Sequence, residues 1–334
     1  MNKLFDKNYL PVYLRTLLVN TIGTFNIFIK VGDDKMVLYH SGGDRFTSDV
    51  RQKLLDNKVA IVYIHKDDKD DYTDYVEKNF PGILNDPELE STKKAEIAHL
   101  SVSTIAKNLF QNPRAQTIKR YKSTINTMMD FVLKDQEAVN NLIRLTSYDF
   151  TTYTHSVNVG VFAIGLAKIL FKEDSGHDMK EIASGFFLHD LGKCKIPLEV
   201  LNKRGMLTKD EWKIMRQHPF LGYKLLEEFN ALTKEAKVIV MQHHERQNGK
   251  GYPRSLKGDE IHMYSKICCI ADVFEALTAK RPYKQKMSAF EALKIMKNEM
   301  WQEFDPHFFQ QFVLLFSSES LEPPKDKIIG HFDT

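Results

Sequence analysis

The spacing of hydrophobic and polar positions changes once along the chain. Before residue 88, turn residues separate short β-rich apolar runs at 24–31, 36–40 and 60–64 from an amphipathic stretch at 48–57. This pattern predicts three strands, with a helix before the third. A turn at Gly32-Asp33-Asp34 is predicted to join the first two strands, and Pro81-Gly82 to close the unit. Residues 1–88 are therefore predicted to form a small α/β domain.

From about residue 90 the apolar positions take the spacing of helices. Residues 95–110, 117–133 and 135–145 carry apolar side chains at intervals of three and four, and strand-like alternation does not return. The rest of the chain is thus predicted to be mostly α. We expect connector helices at 89–134, followed by a helical domain at 135–334.

An acidic stretch follows the third predicted strand, with aspartates at 67, 68, 70 and 71. It suggests the acidic pocket of a phospho-receiver domain, but the segment is too short for five βα units. Lys66 and Lys69 also interleave with the aspartates. A solvated surface is the better interpretation.

Composition excludes several classes of protein. With 47 basic and 44 acidic side chains, the net charge of +3 cannot form the broad positive surface of a nonspecific duplex nucleic-acid binder. The 43% of hydrophobic residues excludes a disordered chain. We find no apolar run near the roughly 18 residues that a membrane span needs, and so expect none.

The three cysteines are Cys194, Cys268 and Cys269, and their spacing fits neither a disulfide framework nor a zinc finger. The first seven residues carry no apolar core of a secretory signal. Both observations predict a cytoplasmic protein.

Side chains suited to metal binding recur beside the apolar helical stretches. They are His155, His189, Asp190, His218, His243, His244 and Asp272. Such groups are costly to bury unless paired, and imidazole and carboxylate are the ligands that Zn, Mn and Fe take. A single one of these histidines is more simply explained by a backbone hydrogen bond. Several that converge predict a metal cluster.

A second His-Asp dipeptide, His177-Asp178, shows that such a pair alone is weak evidence for a metal site. It lies in a polar stretch, and Glu181 follows three residues after the aspartate. This spacing predicts a helix capping box rather than a metal site.

Taken together, the motifs of this half resemble the HD-GYP subfamily of HD-domain phosphohydrolases, which hydrolyse cyclic di-GMP in bacterial signalling. The matching segments are LHDLGKCKIP from Leu188, LNKRGMLT from Leu201, HP at His218, HHER from His243, GYP from Gly251, IADVF from Ile270, RPYK from Arg281 and FDP from Phe304. The resemblance covers about 153–306 and implies that 135–334 is a helical, HD-type catalytic domain.

Residue roles follow from the resemblance. It implies that all seven side chains named above are metal ligands, with Asp190 bridging two divalent transition-metal ions. Fe or Mn is favoured, and Zn, Co and Ni also suit these ligands. The ions would lower the pKa of a bridging water toward ~7, so that it becomes a hydroxide nucleophile. Lys193 would add a catalytic cation, while Tyr252, Arg281 and Lys284 would hold the substrate.

Three positions depart from the family pattern. Thr151 stands where some members use a Glu to hold a third metal, which favours two ions here. Glu275 replaces the usual Asp in the segment after Asp272, and its extra methylene puts a ligand-orienting hydrogen bond in question. Asn248 replaces another usual Asp.

The sequence thus predicts a phosphodiesterase that converts cyclic di-GMP mainly to the linear dinucleotide pGpG. Two alternatives stay open: a cyclic di-GMP-binding signalling module with little turnover, and a phosphodiesterase for another cyclic dinucleotide. The N-terminal domain is expected to be regulatory or dimerising. A homodimer through the connector helices and regulatory protein partners are the corresponding expectations.

Overall fold

The computed structural model describes residues 8–32, 35–146, 151–171, 176–203, 205–279 and 287–316. The chain divides into two compact units, with the boundary between Lys94 and Ala95. Asp33 and Asp34 of the predicted turn lie outside the described residues.

A four-stranded antiparallel sheet forms the centre of the first unit, with strand order β1-β6-β3-β4. The six strands among the described residues are β1 (Tyr9–Tyr13), β2 (Thr21–Ile22), β3 (Ile27–Val31), β4 (Lys35–His40), β5 (Arg45–Phe46) and β6 (Ile61–His65). Strand β6 pairs Val62 with Val12 and Ile64 with Leu10. Val62 and Ile64 are fully buried, so β6 anchors the core of this unit.

Two helices accompany the sheet, α1 (Ser48–Asp56) and α2 (Lys69–Leu84). The prediction that Pro81-Gly82 closes the unit is wrong, because both residues lie inside α2. A proline in a helix costs about 3 kcal/mol, but burying one large apolar side chain contributes about 1.5–3 kcal/mol. The helix buries Phe80, Ile83 and Leu84 around the proline, which outweighs that cost.

The acidic stretch lies at the start of α2 and in the turn before it. Asp67, Asp70 and Asp71 are exposed, as predicted for a solvated surface. The predicted strands and the helix at 48–57 are confirmed within a few residues, but β1, β2 and β5 were missed.

The second unit is helical in its described part, which confirms a mostly α chain preceded by a small sheet-containing domain. Its helices are α3 (Ser91–Gln111), which begins in the first unit, α4 (Ala115–Lys134), α5 (Ala138–Leu145), α6 (Thr152–Phe171), α7 (Met179–Leu188), α8 (Leu198–Leu201), α9 (Lys209–Met215), α10 (His218–Glu228), α11 (Lys234–Gln242), α12 (Met263–Thr278), α13 (Ala289–Glu299) and α14 (Pro306–Leu314). The three helices expected between 95 and 145 are all present.

Helix α6 is the central element of this unit and packs against α5, α7, α12 and α14. Its Phe162 ring lies 5.0 Å from Phe274 of α12 and 6.5 Å from Phe312 of α14. Among the described helices, α6 alone is long and apolar enough to cross a membrane. The expectation that the sequence contains no such apolar run is therefore wrong for α6. The apolar window of α6 is 78% buried inside the protein, as in a core helix.

Asp178 caps α7, as predicted. Its side chain accepts hydrogen bonds from the backbone N–H groups of Lys180 and Glu181, both at 3.1 Å. The Glu181 carboxylate accepts instead from the backbone N–H of Thr233 and pairs with Lys122. The dipeptide therefore works as a simple N-cap.

We expect Asp178→Ala to lower the free energy of unfolding by about 1 kcal/mol, because two N–H groups of α7 lose their acceptor. Urea unfolding followed by circular dichroism measures this, and metal content should stay unchanged. A loss of bound metal in this variant would contradict the capping assignment.

Candidate metal centre

The seven predicted ligands converge, although they come from separate helices. His155 lies in the first turn of α6, and His189 and Asp190 directly follow α7. His218 begins α10, His243 and His244 follow α11, and Asp272 lies within α12. Most of these side chains thus lie at helix ends that meet in one buried cluster. His189 and His243 have no solvent exposure there.

The Asp190 carboxylate is the centre of this cluster. Its Oδ2 atom lies 3.3 Å from His155 Nε2 and 3.5 Å from His189 Nε2. Its Oδ1 atom lies 3.2 Å from His218 Nε2 and 3.7 Å from His243 Nε2. The two oxygens therefore face two different pairs of imidazoles.

Asp272 closes the other side of the cluster. Its Oδ1 atom lies 3.2 Å from His155 Nε2, and its Oδ2 atom lies 3.5 Å from His244 Nδ1. This second carboxylate also stands between two imidazoles.

Hydrogen bonds to the backbone fix the tautomers of three histidines. The Nδ1 atoms of His189, His218 and His243 lie 2.8, 2.8 and 2.9 Å from the carbonyl oxygen three residues earlier. Since a carbonyl only accepts, each Nδ1 carries the proton. The Nε2 lone pairs, which bind metals, are left pointing into the cluster.

Glu275 orients His155, and the concern about its extra methylene is wrong. Its Oε2 atom lies 2.5 Å from His155 Nδ1, and its Oε1 atom accepts a hydrogen bond of 3.2 Å from Asn158 Nδ2. The longer side chain reaches its partner while it is itself buried. His155 Nε2 is thereby directed at both aspartates of the cluster.

The donor atoms fit divalent transition metals. In one group Asp190 stands with His218, His243 and His244, and in the other with His155 and His189; within each group the donor atoms lie within 4.8 Å of one another. In the described part of the chain, His189 Nε2 and Asp190 Oδ1 are buried without a hydrogen-bond partner. Such atoms are costly to leave unsatisfied, and bound ions would satisfy both.

Two of the predicted ligands, Asp190 and His243, are held in the protonation states that metal binding needs. Burial favours a protonated Asp190, but nearby positive charge, that of Lys193 above all, outweighs burial and holds the pKa of that carboxyl well below its usual value. Lys193 Nζ lies 2.5 Å from Asp190 Oδ2. Burial lowers the pKa of His243 to about 4, so its imidazole is neutral near pH 7.

A glycine allows the segment after Asp190 to approach α10. A Cβ atom on Gly192 would lie 1.9 Å from the His218 carbonyl oxygen and 2.5 Å from the Gly222 nitrogen. No other residue fits between these backbones without moving them. The distance between Asp190 and His218 depends on this contact.

Tyr252 lies beside the cluster, in the loop that follows His244. Its backbone N–H donates to the His244 carbonyl oxygen at 3.2 Å, and its ring stacks on the His244 ring at 4.6 Å. Asn248 accepts from the backbone N–H of Lys250 within this loop and is not one of the clustered donors.

Glu245 is a residue of this loop that sequence reasoning missed. It is 1% exposed, and its two oxygens accept from the backbone N–H groups of Arg254 at 2.7 Å and Leu256 at 2.9 Å. This carboxylate folds the loop that carries Tyr252 back toward the histidines. The available signal was a charged residue directly after two ligands.

Two predicted substrate-binding residues, Arg281 and Lys284, lie outside the described residues. Thr151 is exposed at the N-terminus of α6, where its hydroxyl accepts from the backbone N–H of Thr154 at 3.2 Å. It belongs to neither group of clustered donors among the described residues.

Comparison with known proteins places this cluster in a family. Residues 138–308, half of the chain, match the family model described as HD domain. The chain belongs to the HD-domain family. The match confirms the HD-type fold expected within 135–334 and contains all seven predicted ligands.

Relatives of this HD domain confirm the resemblance stated from the sequence. It is 36% identical over 183 residues to the cyclic di-GMP phosphodiesterase PA4108 of Pseudomonas aeruginosa, covering 54% of this chain and 43% of that protein. It is also 36% identical over 184 residues to the 3'3'-cGAMP-specific phosphodiesterase 2 of Vibrio cholerae, covering 54% of this chain and 35% of that one. The chain thus spans less than half the length of either relative.

A solved structure shares the fold of the HD domain and of much of the remaining chain. It is Bd1817, described as a HDG"Y"P protein from Bdellovibrio bacteriovorus, with a TM-score of 0.64 at 23% identity. The superposition covers 93% of this chain and all of the other.

We expect Glu275→Gln to weaken metal binding by the HD domain by about tenfold or more, because an amide cannot accept and orient His155 as a carboxylate does. Competition with a chelator measures this affinity. Glu299→Gln, an exposed change on α13, serves as the matched control. Equal metal affinity in both variants would show that Glu275 does not orient a ligand.

Proposed function

We propose that this protein is a metal-dependent phosphodiesterase that hydrolyses cyclic di-GMP, mainly to linear pGpG. The observation that carries the proposal is the Asp190 carboxylate, shared between two groups of buried imidazoles. The similarity to PA4108, named a cyclic di-GMP phosphodiesterase, supports the substrate.

The side chains divide the chemistry between them. Asp190 and the six other clustered residues hold two divalent ions, with Fe or Mn favoured and Zn, Co or Ni also suited to imidazole and carboxylate ligands. When bound, such a pair of ions neutralises phosphoryl oxygens and lowers the pKa of a water toward ~7. The three fixed tautomers keep the Nε2 atoms in place. Lys193, at the edge of the cluster, contributes a cation for the phosphate.

Two ions are favoured over three by Thr151. Its side chain is neutral, exposed and engaged as a helix cap, so it offers no carboxylate one turn before His155. The first cleavage turns one phosphodiester into a terminal phosphate with an additional charge. With Thr151 in place of a carboxylate, these residues would hold two ions rather than three, and we expect the product to be bound without being positioned for a second attack, so that the linear dinucleotide accumulates.

The other candidate functions are supported by particular residues or relatives. A cyclic di-GMP-binding module with little turnover draws its support from Glu275 and Asn248, but Glu275 does form its hydrogen bond to His155. Hydrolysis of another cyclic dinucleotide is supported by the relative specific for 3'3'-cGAMP. Measuring the hydrolysis of cyclic di-GMP and of 3'3'-cGAMP by this protein separates these candidates.

The first unit is assigned a regulatory or dimerising role, with regulatory protein partners. We propose a homodimer through the helices of 89–134. Three free cysteines, Cys194, Cys268 and Cys269, support a cytoplasmic location.

The metal-loaded protein is expected to convert cyclic di-GMP to pGpG, with GMP appearing slowly or not at all. Chromatography of a time course measures both products, and 3'3'-cGAMP and cyclic di-AMP are run in parallel. GMP that accumulates as fast as pGpG would overturn the two-ion interpretation. A higher kcat/KM for 3'3'-cGAMP would replace the proposed substrate, and binding without turnover would favour the signalling module.

Asp190→Ala is expected to abolish hydrolysis and to lower the bound metal, because one substitution removes a ligand from both donor groups. Metal content by mass spectrometry, measured beside the hydrolysis rate, checks this. Asp178→Ala, in the other His-Asp dipeptide, is the matched control and should retain both. Full metal content and full activity in Asp190→Ala would disprove the shared-ligand assignment.

A further inference from the structure

Arg216 lies between two aromatic rings at the edge of the candidate metal centre. It directly follows α9 and precedes the clustered His218 by two residues. The centre of its guanidinium lies 5.8 Å from the Trp212 ring and 5.2 Å from the Tyr252 ring. Neither the motif spacing nor the resemblance drew attention to this residue.

Two groups lie close to the Tyr252 ring. His244 stacks on it with ring centroids 4.6 Å apart and planes 30° apart, and Arg216 lies over it at 5.2 Å. Since the His244 ring already stacks on Tyr252, a hydrogen bond from the Tyr252 hydroxyl suits this residue better than stacking on a base. Burial raises the pKa of Tyr252, so its hydroxyl stays protonated and can donate.

The Arg216 guanidinium has its donors available. Within the described ranges it makes no hydrogen bond and no salt bridge to protein, and the side chain is exposed. Contact with the two rings restricts its orientation, so less conformational entropy is lost when it binds a ligand. A planar guanidinium with free N–H groups matches the oxygens of a phosphate.

We propose that Arg216 binds the phosphodiester of the cyclic dinucleotide that is not being cleaved. This inference rests on the proposed function, which places the reacting phosphate beside Asp190. Arg216 lies 5.2 Å from the Tyr252 ring, which itself stacks on the His244 ring, so the guanidinium stands next to the donor cluster. A cyclic dinucleotide carries a second phosphodiester, and Arg216 supplies the positive charge for it.

The test measures binding of cyclic di-GMP to the metal-loaded full chain by calorimetry. Arg216→Ala should weaken binding about tenfold or more, the loss expected for a charge-assisted hydrogen bond. Lys213→Ala is the matched control, because Lys213 is an exposed cation of α9 whose partner is Asp210. It should bind as the unmodified protein does.

Two further variants identify the group that Arg216 contacts. Arg216→Lys keeps the charge but loses the planar guanidinium, so it should recover part of the affinity, whereas Arg216→Gln keeps only hydrogen bonding and should recover less. If Arg216→Gln recovered the affinity and Arg216→Lys did not, Arg216 would contact the edge of a base, and the phosphate assignment would be overturned. Equal binding by Arg216→Ala and Lys213→Ala would remove Arg216 from the site.

Bis(p-nitrophenyl) phosphate separates this inference from the proposed function. It has one phosphodiester and no second phosphate, so Arg216→Ala should hydrolyse it at the unmodified rate. A matching loss with this substrate would overturn the inference. If the unmodified protein binds cyclic di-GMP but does not hydrolyse it, the proposed function is contradicted. The calorimetric comparison of Arg216→Ala with Lys213→Ala then still decides whether Arg216 binds the ligand. An unmodified protein that does not bind cyclic di-GMP contradicts both.

Discussion

The buried carboxylate of Asp190 is the constraint on which the second unit depends. An ionised carboxylate in a dry interior is strongly unfavourable unless positive charge or metal offsets it. Lys193, whose ammonium lies 2.5 Å from Oδ2, provides part of that compensation. The unsatisfied Oδ1 atom, with the orphaned Nε2 of His189, shows that protein groups alone do not complete it.

The surrounding fold is arranged to keep these groups in place. Three histidines end or begin helices, where a carbonyl three residues earlier sets each tautomer. Gly192 lets two backbones touch, and Glu275 fixes His155 from the opposite side. The apolar helix α6 holds His155 in its first turn while its remaining length is packed in the core. Preorganised ligands of this kind lose little freedom when an ion binds.

Much of this arrangement was predictable from sequence, and the exceptions have physical reasons. The helices of the second unit follow from periodicity, and the seven residues that the family resemblance implied as ligands do lie together in one cluster. Strand β1 was missed because Pro11 is unusual in a strand, although it is tolerated here at the sheet edge. The end of α2 was misplaced because Pro81 is outweighed by buried neighbours.

The roles of residues that act through tertiary contacts could not be predicted from the sequence pattern. Glu245 is separated by nine and eleven positions from the N–H groups that it binds. Arg216 meets Tyr252 only because α9 and the loop after α11 come together. Glu275 is the intermediate case, since its position was identified but its reach depends on the distance between α6 and α12. Without that distance, the sequence could not show whether the longer Glu275 side chain reaches His155.

The central claim is that Asp190 is shared by two metal ions. Anomalous scattering from crystals of the protein, recorded at the absorption edge of the bound metal, tests this most directly. The account predicts two peaks per chain, one on each side of the Asp190 carboxylate, with His155 and His189 at one and His218, His243 and His244 at the other. A single ion, three fully occupied ions, or ions that do not contact Asp190 would contradict it.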